Sequence, residues 1–264
     1  MGKRKLLKTE INDQGRATVT LNRPEIHNAF DEALITGLLE VFTGLSDNNE
    51  VRIVVLAATG KSFCAGADLN WMKRMSGYTH EQNMTDAKTL AAMLQAIAKC
   101  PKPVIGQIQG PAYGGGVGMA AVCDIAVASE KARFTLSEVK LGLTPATISP
   151  YVIAAMGQRN AHRYFLTGEL FDAATALEIG LVHKVVASDD LTVTVDGFVD
   201  MMMKNSPAAM TACKELISAV ANKPIDQSVL DDSAQCIADI RSTPEGKEGV
   251  AAFLEKRKPS WIEP

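Results

Sequence analysis

The apolar positions along the chain change their period several times, and each change marks an element. Leu6 to Asn12 and Arg16 to Leu21 alternate on either side of Asp13-Gln14-Gly15, which predicts a β-hairpin. Asn22-Arg23-Pro24 ends its second strand. From Asn28 to Leu45 the spacing is helical, with Leu34, Leu38, Val41, Phe42 and Leu45 on one stripe. Val51 to Ala57 is an unbroken apolar run, the pattern of a buried strand, and Ala58 to Lys61 is a turn. A small-residue loop, Phe63 to Asp68, leads into a short helix over Leu69–Met75. A long helix follows over Thr79–Lys99, with Leu90, Met93, Leu94 and Ile97 at core spacing.

Pro103 to Ile108 predicts a second buried strand. It is followed by a Gly110-Pro111 turn, the triplet Gly114–Gly116, a small-residue helix over Val117–Val122 and another strand over Asp124–Ala128. Ser137 to Pro145 reads as a turn. Beyond it the spacing is mostly helical: Ile148–Met156, Gln158–Leu166, Asp172–Ile179, Leu191–Lys204, Pro207–Asn222, Asp226–Ile240 and Thr243–Lys256. One short strand, Leu181–Val186, interrupts these helices, and no internal repeat stands out. Strands alternating with helices predict the α/β class. The shift to all-helical near residue 190 predicts a core over 1–190 and a helical region over 191–264, without a Pro/Gly/Ser linker between them.

Composition narrows the possible functions. The 264 residues are 47% hydrophobic, enough to bury a full core. The formal net charge is −3 and the pI about 5.9. No basic field is present for nucleic acid or an anionic membrane, so neither is an expected partner. The cysteines, at 64, 100, 123, 213 and 236, are odd in number, fit no zinc spacing and lie in apolar surroundings. They are expected to be reduced core thiols of a cytoplasmic protein. The opening MGKRKLLKTE is basic without an apolar signal core, and no stretch is long and charge-free enough to span a bilayer. His27, His80, His162 and His183 show no ligand spacing, so no metal site is expected and these histidines are assigned surface or capping roles.

The candidate chemistry lies in the two loops. Phe63-Cys64-Ala65-Gly66-Ala67-Asp68 and Tyr113-Gly114-Gly115-Gly116 each follow a buried strand, carry almost no side chain and open a helix. Such backbone comes close to a ligand and presents free N–H groups. One N–H from each loop can converge on a single oxygen. That arrangement is an oxyanion hole, in which a donor is typically worth ~3 kcal/mol of barrier. Glu138 is the lone carboxylate of the turn after this stretch.

LNRPEIHNAF (Leu21–Phe30), FCAGADLNWM (Phe63–Met72), Pro103–Ser129, FTLSEVKLGLTP (Phe134–Pro145) and Tyr164–Val186 together resemble the enoyl-CoA hydratase/isomerase (crotonase) superfamily. The resemblance runs in order over nearly the whole chain. It implies a spiral of ββα units with a helical C-terminal trimerisation region, and a homotrimer or homohexamer. It also implies an acyl-CoA substrate, with coenzyme A as part of that substrate and no separate cofactor. The implied hole donors are the N–H groups of Ala67 and Gly115, and the implied catalytic carboxylate is Glu138. Ala65, Ala67, Asp68 and Leu69 would hold the adenine and pantetheine end, with Ile26 and His27 on its other side. Ala29, Asn70, Gly114, Gly115 and Pro145 complete the implied substrate-binding set.

The family's hydratases usually carry a further glutamate two residues beyond the glycine triplet, where this chain has Gly118. Ala65–Met72, Gly114–Gly118 and Ser137–Tyr151 are similar to hydratases of 3-methylglutaconyl-CoA and γ-carboxygeranoyl-CoA, of leucine and acyclic terpene breakdown. The resemblance therefore implies a branched, carboxylated enoyl-CoA. The branch or carboxylate is expected to use space left at Gly118 and the altered Ala146–Ser149 turn, with Lys73 or Arg74 as partner of the carboxylate. A double-bond isomerase is the alternative activity, and a non-catalytic or RNA-binding member a third. Asp124 is expected to hydrogen-bond structurally, and Trp71, Met72 and Met75 to pack in the core or border the acyl pocket.

Overall fold

The computed structural model describes residues 5–262. Met1–Arg4, the start of the basic N-terminal stretch, and residues 263–264 lie outside them. A hairpin opens the fold. β1 (Leu7–Ile11) pairs antiparallel with β2 (Arg16–Leu21), with Leu7 opposite Leu21 and Ile11 opposite Ala17. Gly15 at φ 85° makes the turn, where a side chain would meet the carbonyl of Glu50.

Helix α1 (Glu32–Asp47) then returns the chain to β3 (Ile53–Ala58), parallel to β2. Helices α2 (Leu69–Met75) and α3 (His80–Ala98) precede β4 (Val104–Ile108). The short β5 (Ala112–Tyr113) leads into α4 (Gly115–Ala121) and β6 (Ile125–Ser129). Next come β7 (Arg133–Thr135), α5 (Ser149–Thr167), β8 (Phe171–Asp172), α6 (Ala173–Glu178) and β9 (Lys184–Val186). Four more helices follow among the described residues: α7 (Leu191–Met203), α8 (Pro207–Val220), α9 (Gln227–Ser242) and α10 (Pro244–Leu254).

The large sheet has the order β1-β2-β3-β4-β6-β9, parallel from β2 onward, and a small sheet has the order β5-β7-β8. The period of two along β3 sends alternate residues to opposite faces. Val54 and Leu56 join the main core with α1 and α3; Ile53 and Val55 pack with Leu191, Val195 and Val199 of α7. The fold is α/β, with helices on both faces of the sheet.

Several boundaries differ from the sequence reading. Helix α1 starts at Glu32 rather than Asn28, because His27 and Asn28 both take φ 55° and Asp31 caps the Leu34 N–H. Helix α4 begins at Gly115, two residues before the expected Val117. The strand expected from Leu181 begins at Lys184; Leu181 and Val182 are buried coil. The two helices expected over 148–166 run on as one element, broken at Gly157 (φ 77°). The turn over Ser137–Pro145 contains a 3-10 turn, Ser137–Leu141. β5, β7 and β8, two or three residues each, were not anticipated, being too short to show a period. Helices α8 and α9 bury no residue among those described, and Ile217, Leu230 and Ile237 on them are exposed.

Candidate active site

The first loop is pinned along one edge. The Ala65 N–H donates to the His27 carbonyl (3.0 Å), the Phe30 N–H to Gly66 (2.7 Å) and the Asp68 N–H to Phe30 (2.7 Å). This is a parallel bridge between Phe30 and Ala67. Ala67 is skipped by that pattern, so its N–H points to the other side and finds no acceptor among the described residues. Asp68 turns the chain into α2 by accepting from the N–H groups of Asn70 (2.8 Å) and Trp71 (3.1 Å).

The second loop lies against the first. The N–H groups of Phe63 and Cys64 donate to the Pro111 carbonyl (3.0 and 3.1 Å), and the Tyr113 N–H donates to Cys64 (2.9 Å). The contact needs glycines. A Cβ on Gly116 would stand 2.5 Å from the Cys64 carbonyl oxygen, and one on Gly66, at φ 88°, 3.1 Å from that of Tyr113. The Gly115 N–H, first in α4, also has no acceptor among the described residues. The structure thus brings together two loops with one unused donor each.

Glu138 stands beside the second loop. A Cβ built on Gly114, at φ 49°, would lie 3.0 Å from Glu138 Oε1, so the carboxyl rests against the residue before Gly115. Its Oε2 is buried without a hydrogen-bond partner, and burial pushes the carboxyl above its ordinary pKa. A half-buried carboxyl with an unused oxygen is equipped to exchange a proton with a ligand.

The other predicted positions fall around this centre. Ala65 and Ala67 are half-buried; Leu69 and Asn70, at the start of α2, are exposed, Leu69 at 81%. Ile26 is half-buried. The exposed His27 has its Nδ1 3.0 Å from Ser62 Oγ. Ala29 (6% exposed) and Pro145 are buried, so neither presents much surface to a ligand in this state. Asp124 accepts from the Val104 N–H (2.7 Å) and Lys214 (2.5 Å), fastening α8 to the strand ends. Trp71 is a core residue whose indole donates to Asp86 (3.3 Å). Among the described residues no cluster of His, Cys, Asp and Glu is disposed to hold a metal.

Two expectations are corrected here. The space expected over Gly118 is filled. A Cβ there would stand 2.3 Å from Ile148 Cγ2 and 2.8 Å from its Cβ, with Leu94 Cδ2 at 3.7 Å. Ile148 is 2% exposed, so this apolar plug leaves no room for a branch or carboxylate. Arg74 is engaged as well: it forms a two-pronged pair with Glu32 (2.5 and 3.1 Å), which also accepts from Tyr78 (3.2 Å). Lys73 is exposed and forms no ion pair among the described residues. Sequence reasoning missed Phe30, Asn28 and Ile148. Phe30 lay at the edge of a recognised motif, and only the fold brings it to Gly115.

Comparison with known proteins agrees with this architecture. The family model for enoyl-CoA hydratase/isomerase matches residues 12–264. A short-chain-enoyl-CoA hydratase of Clostridium acetobutylicum is 33% identical, over 92% of this chain and 92% of that protein. A trans-2-decenoyl-[acyl-carrier-protein] isomerase of Streptococcus mutans is 31% identical, over 94% and 95%. The crystal structure of an enoyl-CoA hydratase from Shewanella pealeana superposes with a TM-score of 0.95 at 46% identity, covering 98% of this chain and 97% of that one. The chain belongs to the enoyl-CoA hydratase/isomerase family.

Proposed function

We propose that the protein adds water across the C2=C3 double bond of an enoyl-CoA thioester. The thioester oxygen accepts from the N–H groups of Ala67 and Gly115, which stabilise the enolate as it forms. Glu138, as carboxylate, takes a proton from water while the water oxygen bonds to C3, and then returns that proton to C2. The observation that carries the reading is the pair of unengaged N–H groups on two abutting loops, with the unpartnered carboxyl of Glu138 against Gly114. Ala65, Ala67, Asp68 and Leu69, with Ile26 and His27, are assigned to the coenzyme A portion, and Asn70 to the wider substrate-binding set. No separate cofactor is required.

The substrate class we assign is a 3-methyl-branched, carboxylated enoyl-CoA of leucine or isoprenoid breakdown. Its support is the similarity of Ala65–Met72, Gly114–Gly118 and Ser137–Tyr151 to hydratases of that class. Since Ile148 fills the Gly118 face and Arg74 is paired, the branch is accommodated elsewhere, and Lys73 is the cation left on α2 for the carboxylate. Isomerisation is the second reading. It is favoured by the absence of a second carboxyl at Gly118, since one carboxyl suffices to take a proton from C2 and deliver it to C4. A homotrimer or homohexamer is proposed from the family and from the exposed apolar faces of α8 and α9.

A panel of CoA thioesters followed by ultraviolet absorbance tests the assignment. Hydration removes the conjugated enoyl band of a 2-enoyl substrate, whereas isomerisation of a 3-enoyl substrate creates it. The proposal expects loss of the band, fastest with 3-methylglutaconyl-CoA. Appearance of the band from 3-enoyl substrates, with no loss from any 2-enoyl substrate, would establish the isomerase instead.

A further inference from the structure

Phe30 touches both halves of the site, by two different means. Its main chain is the edge against which the first loop is laid: its N–H donates to Gly66 and its carbonyl accepts from Asp68, each at 2.7 Å. In a parallel bridge those two bonds flank Ala67 and turn its own N–H outward. Its ring reaches the second loop. A Cβ on Gly115 would stand 2.3 Å from Phe30 Cε2 and 2.8 Å from Cδ2, so the ring lies directly against the Gly115 backbone. Gly115 is not among the residues with positive φ, so the ring, rather than the dihedral, is what demands glycine there.

The strut itself is held rigidly. Phe30 is 1% exposed, which leaves the ring no room to withdraw. Two residues earlier, Asn28 is fully buried at φ 55°, a conformation asparagine tolerates better than most residues. Its Oδ1 accepts from the Arg23 N–H (2.8 Å), and its Nδ2 donates to the carbonyls of Thr59 (2.8 Å) and Ser62 (2.9 Å). The Arg23 side chain pairs with Asp31 (2.7 Å) and donates to the Ala29 carbonyl (3.1 Å), closing the loop around Phe30.

We propose that Phe30 is a positioning residue that sets the spacing and aim of the Ala67 and Gly115 donors. The inference rests on the reading of those two N–H groups as an oxyanion hole. Donors of this kind work only when pre-set at the oxygen, and a misplacement of ~1 Å can cost on the order of a hundredfold in rate. A shorter or floppier side chain at position 30 keeps the backbone bridge and loses the prop beneath Gly115. A residue that merely fills the core would change stability and leave the donors' aim intact.

The test uses a conjugated dienoyl-CoA labelled with ¹³C at the thioester carbonyl, bound to the unaltered full-length protein, to Phe30→Leu and to Phe30→Met. The carbonyl stretch is read by isotope-edited difference Raman spectroscopy. Turnover per active site and KM are measured with the enoyl-CoA the protein converts fastest. The proposal expects a clear downward shift of the carbonyl band in the unaltered protein and a smaller shift in both variants. It also expects kcat to fall about tenfold or more with KM changed less than twofold. Two variants are used so that one folded protein suffices. A full carbonyl shift with unchanged kcat in a folded variant, whatever its Tm, would overturn the role of Phe30 while leaving the hole standing. An unshifted carbonyl in the unaltered protein would refute the hole, and the role of Phe30 with it. As a second measurement, Gly115→Ala should cost more in the unaltered protein than in the Phe30→Leu background. Equal costs would overturn the ring contact.

Discussion

Replacing Gly118 by alanine sets two opposed effects against each other at one buried point. In an exposed helix the change should help, because alanine is favoured over glycine by ~1 kcal/mol in a helix interior. Here the added methyl would stand 2.3 Å from Ile148 Cγ2 and 2.8 Å from Ile148 Cβ. Both distances are far inside the ~3.5–4.0 Å at which carbon atoms attract. Ile148 is buried at the head of α5, with Leu94 behind the same spot, so relief requires backbone or rotamer shifts. Overpacking of this kind costs typically about 1–3 kcal/mol, and the short distances place this site at or above the upper end. The net expectation is destabilisation by about 2 kcal/mol, or a Tm lower by roughly 4–8 °C at this chain length. The assay is thermal unfolding at matched protein concentration, for Gly118→Ala, Ile148→Ala and the double variant. Ile148→Ala alone should cost about 2–4 kcal/mol through the cavity it leaves. The double variant should cost less than the sum, with a coupling of about 1 kcal/mol or more, since each change makes room for or fills the other. A rise in Tm for Gly118→Ala, or strict additivity in the cycle, would refute the claim that Ile148 fills this face of α4.

Glu138→Gln should lower turnover by about a hundredfold or more with thioester affinity little changed, checked by stopped-flow turnover and calorimetric binding. The same variant should be slightly more stable than the unaltered protein above the carboxyl's raised pKa. Burial raises that pKa, so the stability associated with the protonated form is fully present below the ordinary carboxylate range and lost as pH rises through the raised value; thermal unfolding against pH checks this. Activity that needs the carboxylate should fall on acidification at a higher pH than for a solvated glutamate, as a pH profile of kcat/KM would report. Asp124→Ala removes the acceptor of the Val104 N–H and of Lys214, and should cost about 2 kcal/mol by denaturant unfolding. Under iodoacetamide at mildly alkaline pH, Cys64, buried and pushed up to about 12, should stay untouched in the folded protein and be modified only after unfolding, as peptide mass mapping would show.

What the sequence made legible followed from local pattern. The hairpin about Gly15, the buried run of β3 and the small-residue loops at 63–68 and 113–116 are each written in consecutive residues. Glu138 was singled out by its place in a motif, and the structure sets its carboxyl against Gly114. The illegible parts depend on what distant segments bring to one point. Ile148 and Gly118 are 30 positions apart, and nothing in either neighbourhood says that one fills the other's side-chain space. The start of α1 was misplaced because Asn28 sits within helical apolar spacing, while its left-handed backbone is dictated by Arg23, Thr59 and Ser62. Arg74 looked available on α2 until α1 folded beside it and supplied Glu32.

The central claim is that a thioester oxygen is received by Ala67 and Gly115 with Glu138 beside it. It is tested most directly by a crystal structure of Glu138→Gln with an enoyl-CoA bound, since that variant should hold its substrate without turning it over. The account predicts the thioester oxygen at about 2.7–3.1 Å from both backbone nitrogens, the separation expected of oxyanion-hole donors. It further predicts C2 within reach of the position 138 side chain. A thioester seated with its carbonyl away from either nitrogen would contradict the account.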